Sequence, residues 1–326
     1  MTCGGQHDGM QKKPQRPVPS VEIIDTPRVR PPRPIQIDKL TSIPFFLVHI
    51  AALASAIYLG ATKTDIIVCV ALYYIRMFGI TAGYHRYFSH RAYKTSRFFQ
   101  FVLAVIGGAS MQKGVLWWAA HHRHHHKWSD MSEDIHSVKQ DGFYWSHVGW
   151  IISNEYDETE WDRIKDFSKY PELRWLNRWH WAPALIGGAI LYAIGGIHWF
   201  VWGGLVSSVF LWHGTFFINS LAHVWGSRRY PTTDTSRNNF WLALITMGEG
   251  WHNNHHYYQS TANQGFFWWE VDFSYYILKM LSWVGVVWDL RTPPRHILEG
   301  KAAVDPIEPE VATEVPALPP AAVPSV

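Results

Sequence analysis

Four apolar segments constrain the fold of this 326-residue chain more than any other feature. Each approaches the ~20 mostly apolar residues that a transmembrane helix needs, and ~17–25 are tolerated. Two very short loops, residues 61–65 and 195–198, join the segments in pairs. The sequence therefore predicts an all-α integral membrane protein with four transmembrane helices in two hairpins. The predicted spans are about 42–60, 66–82, 181–197 and 199–218.

The rest of the chain divides by composition into two tails and one membrane domain. Residues 1–41 and 304–326 are rich in proline and are predicted to be flexible tails, which leaves 42–303 as the membrane domain. Residues 98–111 are apolar but too short to span, so we expect an interfacial or re-entrant segment. Residues 265–288 show helical apolar spacing, with Glu270, Ser274, Lys279 and Ser282 marking the opposite side. That helix is predicted either to lie in the membrane interface or to pack on the cytoplasmic domain.

Lysine and arginine near the helix ends predict the orientation in the membrane. Only Lys63 lies in the loop between the first two spans, whereas cationic side chains are frequent at the other ends of these spans. These cations are Arg28, Arg30, Arg33, Lys39, Arg86, Arg91, Lys94 and Arg97. We therefore expect both termini and the regions 83–180 and 219–303 on the cytoplasmic side of a bacterial inner membrane or an endoplasmic reticulum membrane.

Charge and cysteine content exclude several functional classes. The formal net charge of +3 is too balanced for a protein that grips nucleic acid through its phosphates. The two cysteines, Cys3 and Cys69, exclude a disulfide scaffold and cysteine-rich zinc or iron–sulfur sites. Histidine is the unusual residue, with 19 copies.

Many of these histidines lie in three clusters on the predicted cytoplasmic side. The clusters are His85–His90, His121–His126 and His252–His256, and a single His223 follows the fourth span. Positions i, i+3 and i+4 share one face of an α-helix. That spacing allows two or three imidazoles of the trio His122, His125 and His126 to aim at one point, and likewise two or three of His252, His255 and His256. His85 and His90 are about 140° apart on an α-helix, so they either serve different metals or the helix unwinds between them.

The number of clustered histidines predicts two metals close together, because a mononuclear site needs only three or four ligands. Imidazole suits zinc, copper, iron and nickel, so the residue type does not name the metal. Neither the His-Glu-x-x-His pattern of zinc proteases nor the Glu-x-x-His pattern of ferritin-like bundles occurs. His136 and His147 remain unassigned. Isolated histidines are treated as ordinary surface or core residues: His7, His49, His180, His198, His213 and His296.

Taken together, these motifs resemble the membrane fatty-acyl desaturases, in particular the stearoyl-CoA Δ9-desaturase type. The resemblance runs from about Ile66 to Asp289. It rests on HRYFSH, HRHHH, HNNHH and the Asn-Ser-x-Ala-His element, together with the paired hairpins and the longer strings FYWSHVGW and GEGWHNNHH.

The resemblance implies a metal centre of two Fe2+ ions with O2 as co-substrate. Nine ligands are implied: His85, His90, His122, His125, His126, His223, His252, His255 and His256. Asn219 matches an asparagine that holds a metal-bound water, whereas His121 and His124 match positions that are not ligands. Because no haem, flavin or iron–sulfur motif is present, electrons are expected from a separate cytochrome b5, ferredoxin or rubredoxin-type donor with an NAD(P)H reductase.

The implied reaction is the introduction of a cis double bond, by default at Δ9, into a saturated long-chain acyl thioester, with acyl-CoA as the first expectation. Ala120-His121 stands where animal acyl-CoA enzymes have Arg-Asp, which keeps an acyl-lipid or carrier-protein substrate open. Gln112 and Lys113 are the expected head-group residues. Tyr73 and Met77 are expected to close the far end of the acyl tunnel.

Two rival functions remain at this point. A histidine-box hydroxylase or ketolase acting on a fatty acyl, alkane or carotenoid substrate would share the fold and the metals. A non-catalytic metal carrier would instead place histidines along the spans at bilayer depth.

Overall fold

The computed structural model describes residues 38, 40 and 42–300. The predicted tails lie outside these residues, apart from Asp38 and Leu40. The described chain is mostly helical, and its single two-stranded ladder pairs β1 with β2 antiparallel. The strands are Lys94–Thr95 (β1) and Val287–Trp288 (β2). The α-helices are Ile43–Leu59 (α1), Lys63–Phe78 (α2), Arg97–Gly108 (α3), Val115–Trp128 (α4), Val138–Tyr144 (α5), Lys165–Ser168 (α6), Pro171–Arg178 (α7), Ala182–Trp199 (α8), Ser207–Asn219 (α9), Phe240–Ile245 (α10), His252–Tyr257 (α11), Phe273–Trp283 (α12) and Arg295–Leu298 (α13). Three π-helices, Gly79–Ser89, Trp145–Gly149 and Phe200–Val206, and two 3-10 turns, Trp161–Arg163 and Leu221–His223, complete the described elements.

The first hairpin ends and restarts on local sequence signals. α1 stops at Gly60, whose φ of 67° lies in the region that glycine tolerates best. α2 then starts at Lys63, earlier than the predicted 66, because Thr62 and Asp65 form a capping box. The Thr62 hydroxyl accepts the Asp65 amide, and the Asp65 carboxylate accepts the Thr62 amide.

The second hairpin is a single long apolar stretch that reverses at one glycine. Two stretches are long and apolar enough to cross a membrane, Lys63–Ser89 and the 42-residue Ala182–His223. In the second, Gly196 leaves the helical region with φ 61° and ψ −155°. Phe200 lies against Gly188 beyond this break, so the two arms run side by side. α1 is a shorter apolar helix of 17 residues.

Both hairpin turns lie at the same end of the molecule. The Trp202 indole N–H donates to the Gly60 carbonyl at 2.9 Å, and His198 contacts Asp65 at 2.9 Å. The clustered histidines follow the opposite ends of α2 and α9. The helices therefore separate an end made of short turns from an end that carries the histidines.

α3 is the segment predicted to be interfacial or re-entrant. It begins at a Ser96 cap and buries Leu103, Ala104 and Gly107 on one side. A Cβ on Gly79 would lie 2.5 Å from the Gly107 amide, so the two backbones touch and no residue larger than glycine fits at either position. This close approach packs α3 against the start of the π-helix that contains His85.

The amphipathic helix predicted over 265–288 is shorter than expected. α12 starts at Phe273 because Asp272 caps it, and it ends before Gly285, which has a positive φ of 73°. Of the residues that mark the predicted polar side, Glu270 and Ser274 are buried, whereas Lys279 is exposed. Large apolar side chains are exposed as well: Phe273, Tyr276, Met280, Trp283 and Val284. An apolar outer face is what a helix in the membrane interface requires.

Candidate metal centre

The π-helix after α2 brings His85 and His90 together. The His90 amide donates to the His85 carbonyl five residues earlier, the defining bond of a π-helix. Residues five apart therefore share a face here, although they would not on an α-helix. Of the two alternatives left open by the sequence, the departure from α-helical geometry is the one observed.

The other two clusters each divide between two groups of side chains. On α4, His122 and His126 point one way and His125 the other. On α11, His252 and His256 are partners, while His255 joins the opposite set. Two rings of each trio therefore aim at one point, within the expected two or three, because positions i and i+4 stay together and position i+3 diverges.

Nine histidines thus form two adjoining groups. The five-histidine group contains His85, His90, His122, His126 and His255. The four-histidine group contains His125, His223, His252 and His256. Within each group the candidate ligand atoms all lie within 4.8 Å of one another. These are the nine residues that the resemblance implied, whereas His121 and His124 bond to Trp117 and Glu160 instead.

Within each group, Nε2 atoms of neighbouring histidines face one another. His85 and His255 approach Nε2 to Nε2 at 3.0 Å, and His255 and His126 do so at 2.9 Å. His223 and His252 meet at 3.0 Å in the other group. Among the described residues, the buried Nε2 of His256 has no hydrogen-bond partner.

This arrangement fits metal ions. Burial, followed by the neighbouring imidazoles, holds the pKa values of His90, His122, His126, His252 and His255 well below their usual range. The rings are therefore neutral at pH 7, which is the form that binds metal. Converging neutral imidazoles with an unpartnered nitrogen match the donor set of two metal positions.

Carboxylates contact the Nδ1 atoms of several of these rings. The sequence analysis did not predict them. Asp134 accepts from His125 Nδ1 at 2.9 Å, and Asp234 accepts from His256 Nδ1 at 2.7 Å. Glu249 contacts His85 Nδ1. Carboxylates in this position fix the tautomer and orientation of ligand histidines. Asp134 and Glu249 lie within ten residues of a cluster, the one signal that was available.

A third set, His125, Asp134 and His136, also lies close enough to hold an ion. Its Asp134 already accepts the His125 N–H, and the His136 ring stacks on His125 with centroids 4.2 Å apart. We therefore interpret this set as support for the four-histidine group.

An apolar cavity of about 390 Å³ leads to the histidines. Its inner end is lined by Trp118, His122 and Asn219. Its outer end is lined by the exposed Pro44, Met111, Asp157 and Trp181, where α1 and α8 begin. The size and apolar lining are typical of a small-molecule site.

The remaining predicted residues divide between this cavity and the helix bundle. Gln112 and Lys113 line the cavity, with Gln112 donating to Thr215 at 2.9 Å and Lys113 pairing with Asp157 at 2.7 Å. Tyr73 and Met77 are not among the lining residues. They pack against Gly214 of α9, and the Tyr73 hydroxyl donates to the Ile245 carbonyl at 2.8 Å.

Comparison with known proteins identifies the family. Residues 65–281 match the model of the fatty acid desaturase family. The chain belongs to the fatty acid desaturase family. It is 37% identical over 227 residues to the sn-1 stearoyl-lipid 9-desaturase of Synechocystis sp., covering 69% of this chain and 70% of that protein.

Other relatives of this desaturase differ in the substrates that their names give. The sn-2 palmitoyl-lipid 9-desaturase of Nostoc sp. is 33% identical over 228 residues, covering 68% of this chain and 80% of that protein. The acyl-CoA C20 Delta5-desaturase of Anemone leveillei is 36% identical over 230 residues, covering 69% and 73%. The desaturase described here is therefore an oxidoreductase of fatty-acid metabolism, and its relatives act on both lipid-bound and CoA-bound chains.

Proposed function

We propose that this protein is an O2-dependent desaturase that introduces a cis double bond, at Δ9, into a saturated long-chain acyl group. The substrate is presented either as the CoA thioester or as a lipid ester. The observation that carries the proposal is the apolar cavity, which runs from the start of α1 and α8 to Trp118 and His122. An acyl chain lying there would reach the histidine groups without crossing water.

Two iron ions held by the nine histidines would supply the oxidising power needed to remove hydrogen from an unactivated methylene pair. Asn219 lies at the inner end of the cavity, where its amide would hold a water beside the metals. The overall balance is one acyl chain, one O2, two electrons and two protons giving one alkene and two waters. The electrons would come from a separate donor of the cytochrome b5, ferredoxin or rubredoxin type.

The protein's own residues supply position and exclusion of water. The Gln112–Thr215 bond ties the loop after α3 to α9, which fixes one wall of the cavity. The Trp118 ring stacks on His122 with centroids 4.9 Å apart, so the cavity wall contacts the five-histidine group directly. Regioselectivity would follow from the distance between the cavity mouth and the histidines.

The proposal includes the topology. Four helices, α1, α2, α8 and α9 with the π-helix before it, would cross the membrane with both turns on the far side. The histidine groups and both termini would be cytoplasmic. The absence of basic residues at the turns, apart from Lys63, supports this orientation.

The test is expression in a host that makes no unsaturated fatty acids, fed with defined saturated acyl chains. Mass spectrometry of the products would locate the double bond, and an alcohol in its place would favour the hydroxylase alternative. His125→Ala should abolish the product. His124→Ala is the matched control, because its ring bonds to Glu160 outside both groups and activity should persist.

A further inference from the structure

The two histidine groups differ in the residues that contact the Nδ1 atoms of their rings. In the four-histidine group, three of the four Nδ1 atoms face a carboxylate. Asp134 and Asp234 accept directly, and Asp130 lies 3.6 Å from His223 Nδ1. Thr235 bridges that last pair, accepting near His223 at 3.2 Å and donating to Asp130 at 2.6 Å.

Fewer carboxylates contact the rings of the five-histidine group. Glu249 is the one carboxylate described in contact with these rings, and it is shared with the fully buried Arg86, which also pairs with Asp272. Among the described residues, buried Nδ1 atoms without a partner occur in both groups, at His126 and His255 here and at His252 in the four-histidine group. Arg123, which pairs with Asp166, also approaches this group, donating to the carbonyl of Ser89 beside His90.

Asp130 and Asp234 of the four-histidine group bond to hydroxyl and amide donors. Asp130 accepts from Ser137 and Thr235, and Asp234 accepts from Ser236 and Thr232. None of these described bonds comes from lysine or arginine. Buried anions behind neutral ligands attract a metal cation and make the imidazoles better donors.

We propose that the four-histidine group is the high-affinity metal position and the five-histidine group the weaker one, with Asp130, Asp134 and Asp234 as positioning residues for the tight site. This inference rests on the proposed metal centre. The tight position would fill first. The weaker position would be the one that exchanges its metal.

Metal titration tests this order without reference to activity. The full chain, purified in detergent and stripped by a chelator, would be dialysed against Zn2+ and its bound metal counted. We expect two classes of site. Asp134→Asn or Asp234→Asn should weaken the tighter class about 10–100-fold, whereas Glu249→Gln should weaken the looser class. Asp289→Asn is the control, because this exposed carboxylate pairs with Lys94 and has a positive φ that asparagine also tolerates.

A second measurement needs no variant and so does not depend on how the substitutions fold. With one equivalent of Zn2+, histidine carbethoxylation read by mass spectrometry should spare His223 and still modify His85 and His90. Protection of His85 and His90 first, or one uniform class of site in the titration, would overturn the inference. A protein that binds no metal at all would instead contradict the proposed function.

Discussion

Histidines meet in two regions of this molecule, with opposite geometry. In the candidate metal centre of nine histidines, ring nitrogens converge on common points. Next to α1 and α9, three further histidines form a line in which each ring bonds to the next through different nitrogens. This line, His49, His213 and His147, is the membrane-side histidine chain. The contrast teaches that convergence of donor atoms, rather than the number of histidines, marks a metal site.

The hydrogen bonds of the membrane-side histidine chain all run in one direction. His49 Nδ1 lies 2.7 Å from the Phe45 carbonyl, which accepts only, so that nitrogen carries the proton. His49 Nε2 must then accept from His213 Nε2 at 3.2 Å, and His213 Nδ1 from His147 Nε2 at 3.0 Å. His147 Nδ1 faces the Ser220 hydroxyl at 2.9 Å. Each ring nitrogen of the three histidines therefore faces a partner of its own, which leaves none converging with the others on a common point for a metal.

The sharpest way to break the comparison is to remove one histidine from each region. We expect His255→Ala to lose at least one of two metal equivalents, because its Nε2 lies between His85 and His126. His213→Ala should keep both. Bound metal would be counted by mass spectrometry on detergent-purified protein, with helical content checked by circular dichroism. Loss of metal in both variants would mean that the membrane-side histidine chain is also needed for metal binding.

The same contrast explains how far sequence reasoning reached. Apolar length and short loops were sufficient to predict the helices around both hairpin turns, and the resemblance to a family implied the nine histidines. The sequence left open how the nine are shared between the two groups. The partnership of His85 and His90 depends on a π-helix, where the sequence offered only an unwound helix as one of two alternatives.

Other contacts between side chains could not be predicted from any local pattern in the sequence. Asp234 lies 22 residues from His256, and His49 lies 164 residues from His213. Pairs at such separations become neighbours only through the packing of whole helices. A single sequence carries no periodic or spacing signal for them, so the outer carboxylates and the histidine chain became visible only in the folded molecule.

The next effect is on stability. His213→Ala removes two hydrogen bonds and leaves His49 and His147 unsatisfied, which should cost about 1–3 kcal/mol. Since His49 and His213 share one bond, the double variant His49→Ala/His213→Ala should cost less than the sum of the singles. Thermal unfolding in detergent would measure this. Strict additivity would show that the bond between the two rings contributes nothing.

A smaller effect should appear with pH. Burial, with His213 beside it, lowers the pKa of His147 to about 4, so its ring stays neutral in the folded protein. In the unfolded chain the ring takes a proton near pH 6.5. His147 therefore adds no pH dependence above that value, and it destabilises the fold as pH falls from about 6.5 towards 4.

The matched variant for this effect is His147→Gln, which removes the titrating group. The difference in melting temperature between pH 7.5 and pH 5 should be smaller in the variant than in the wild type, with metal bound in both. Because ligand histidines also take up protons in acid, only the difference between the two proteins is informative. Identical pH profiles would show that His147 titrates normally.

The smallest expected effect concerns the contact between α2 and α9 beside the membrane-side histidine chain. Tyr73 and Met77 of α2 pack against Gly214, the residue next to His213. Truncating either side chain opens space between α2 and α9 without touching a metal-centre histidine. We expect Tyr73→Ala and Met77→Ala to shift the products towards longer acyl chains, with bound metal unchanged, as measured by gas chromatography and metal analysis. Tyr74→Ala is the control, because that neighbouring ring is partly exposed and only meets Tyr73 edge-on. An unchanged chain-length profile in both variants would show that this contact packs the helices and does not limit the substrate.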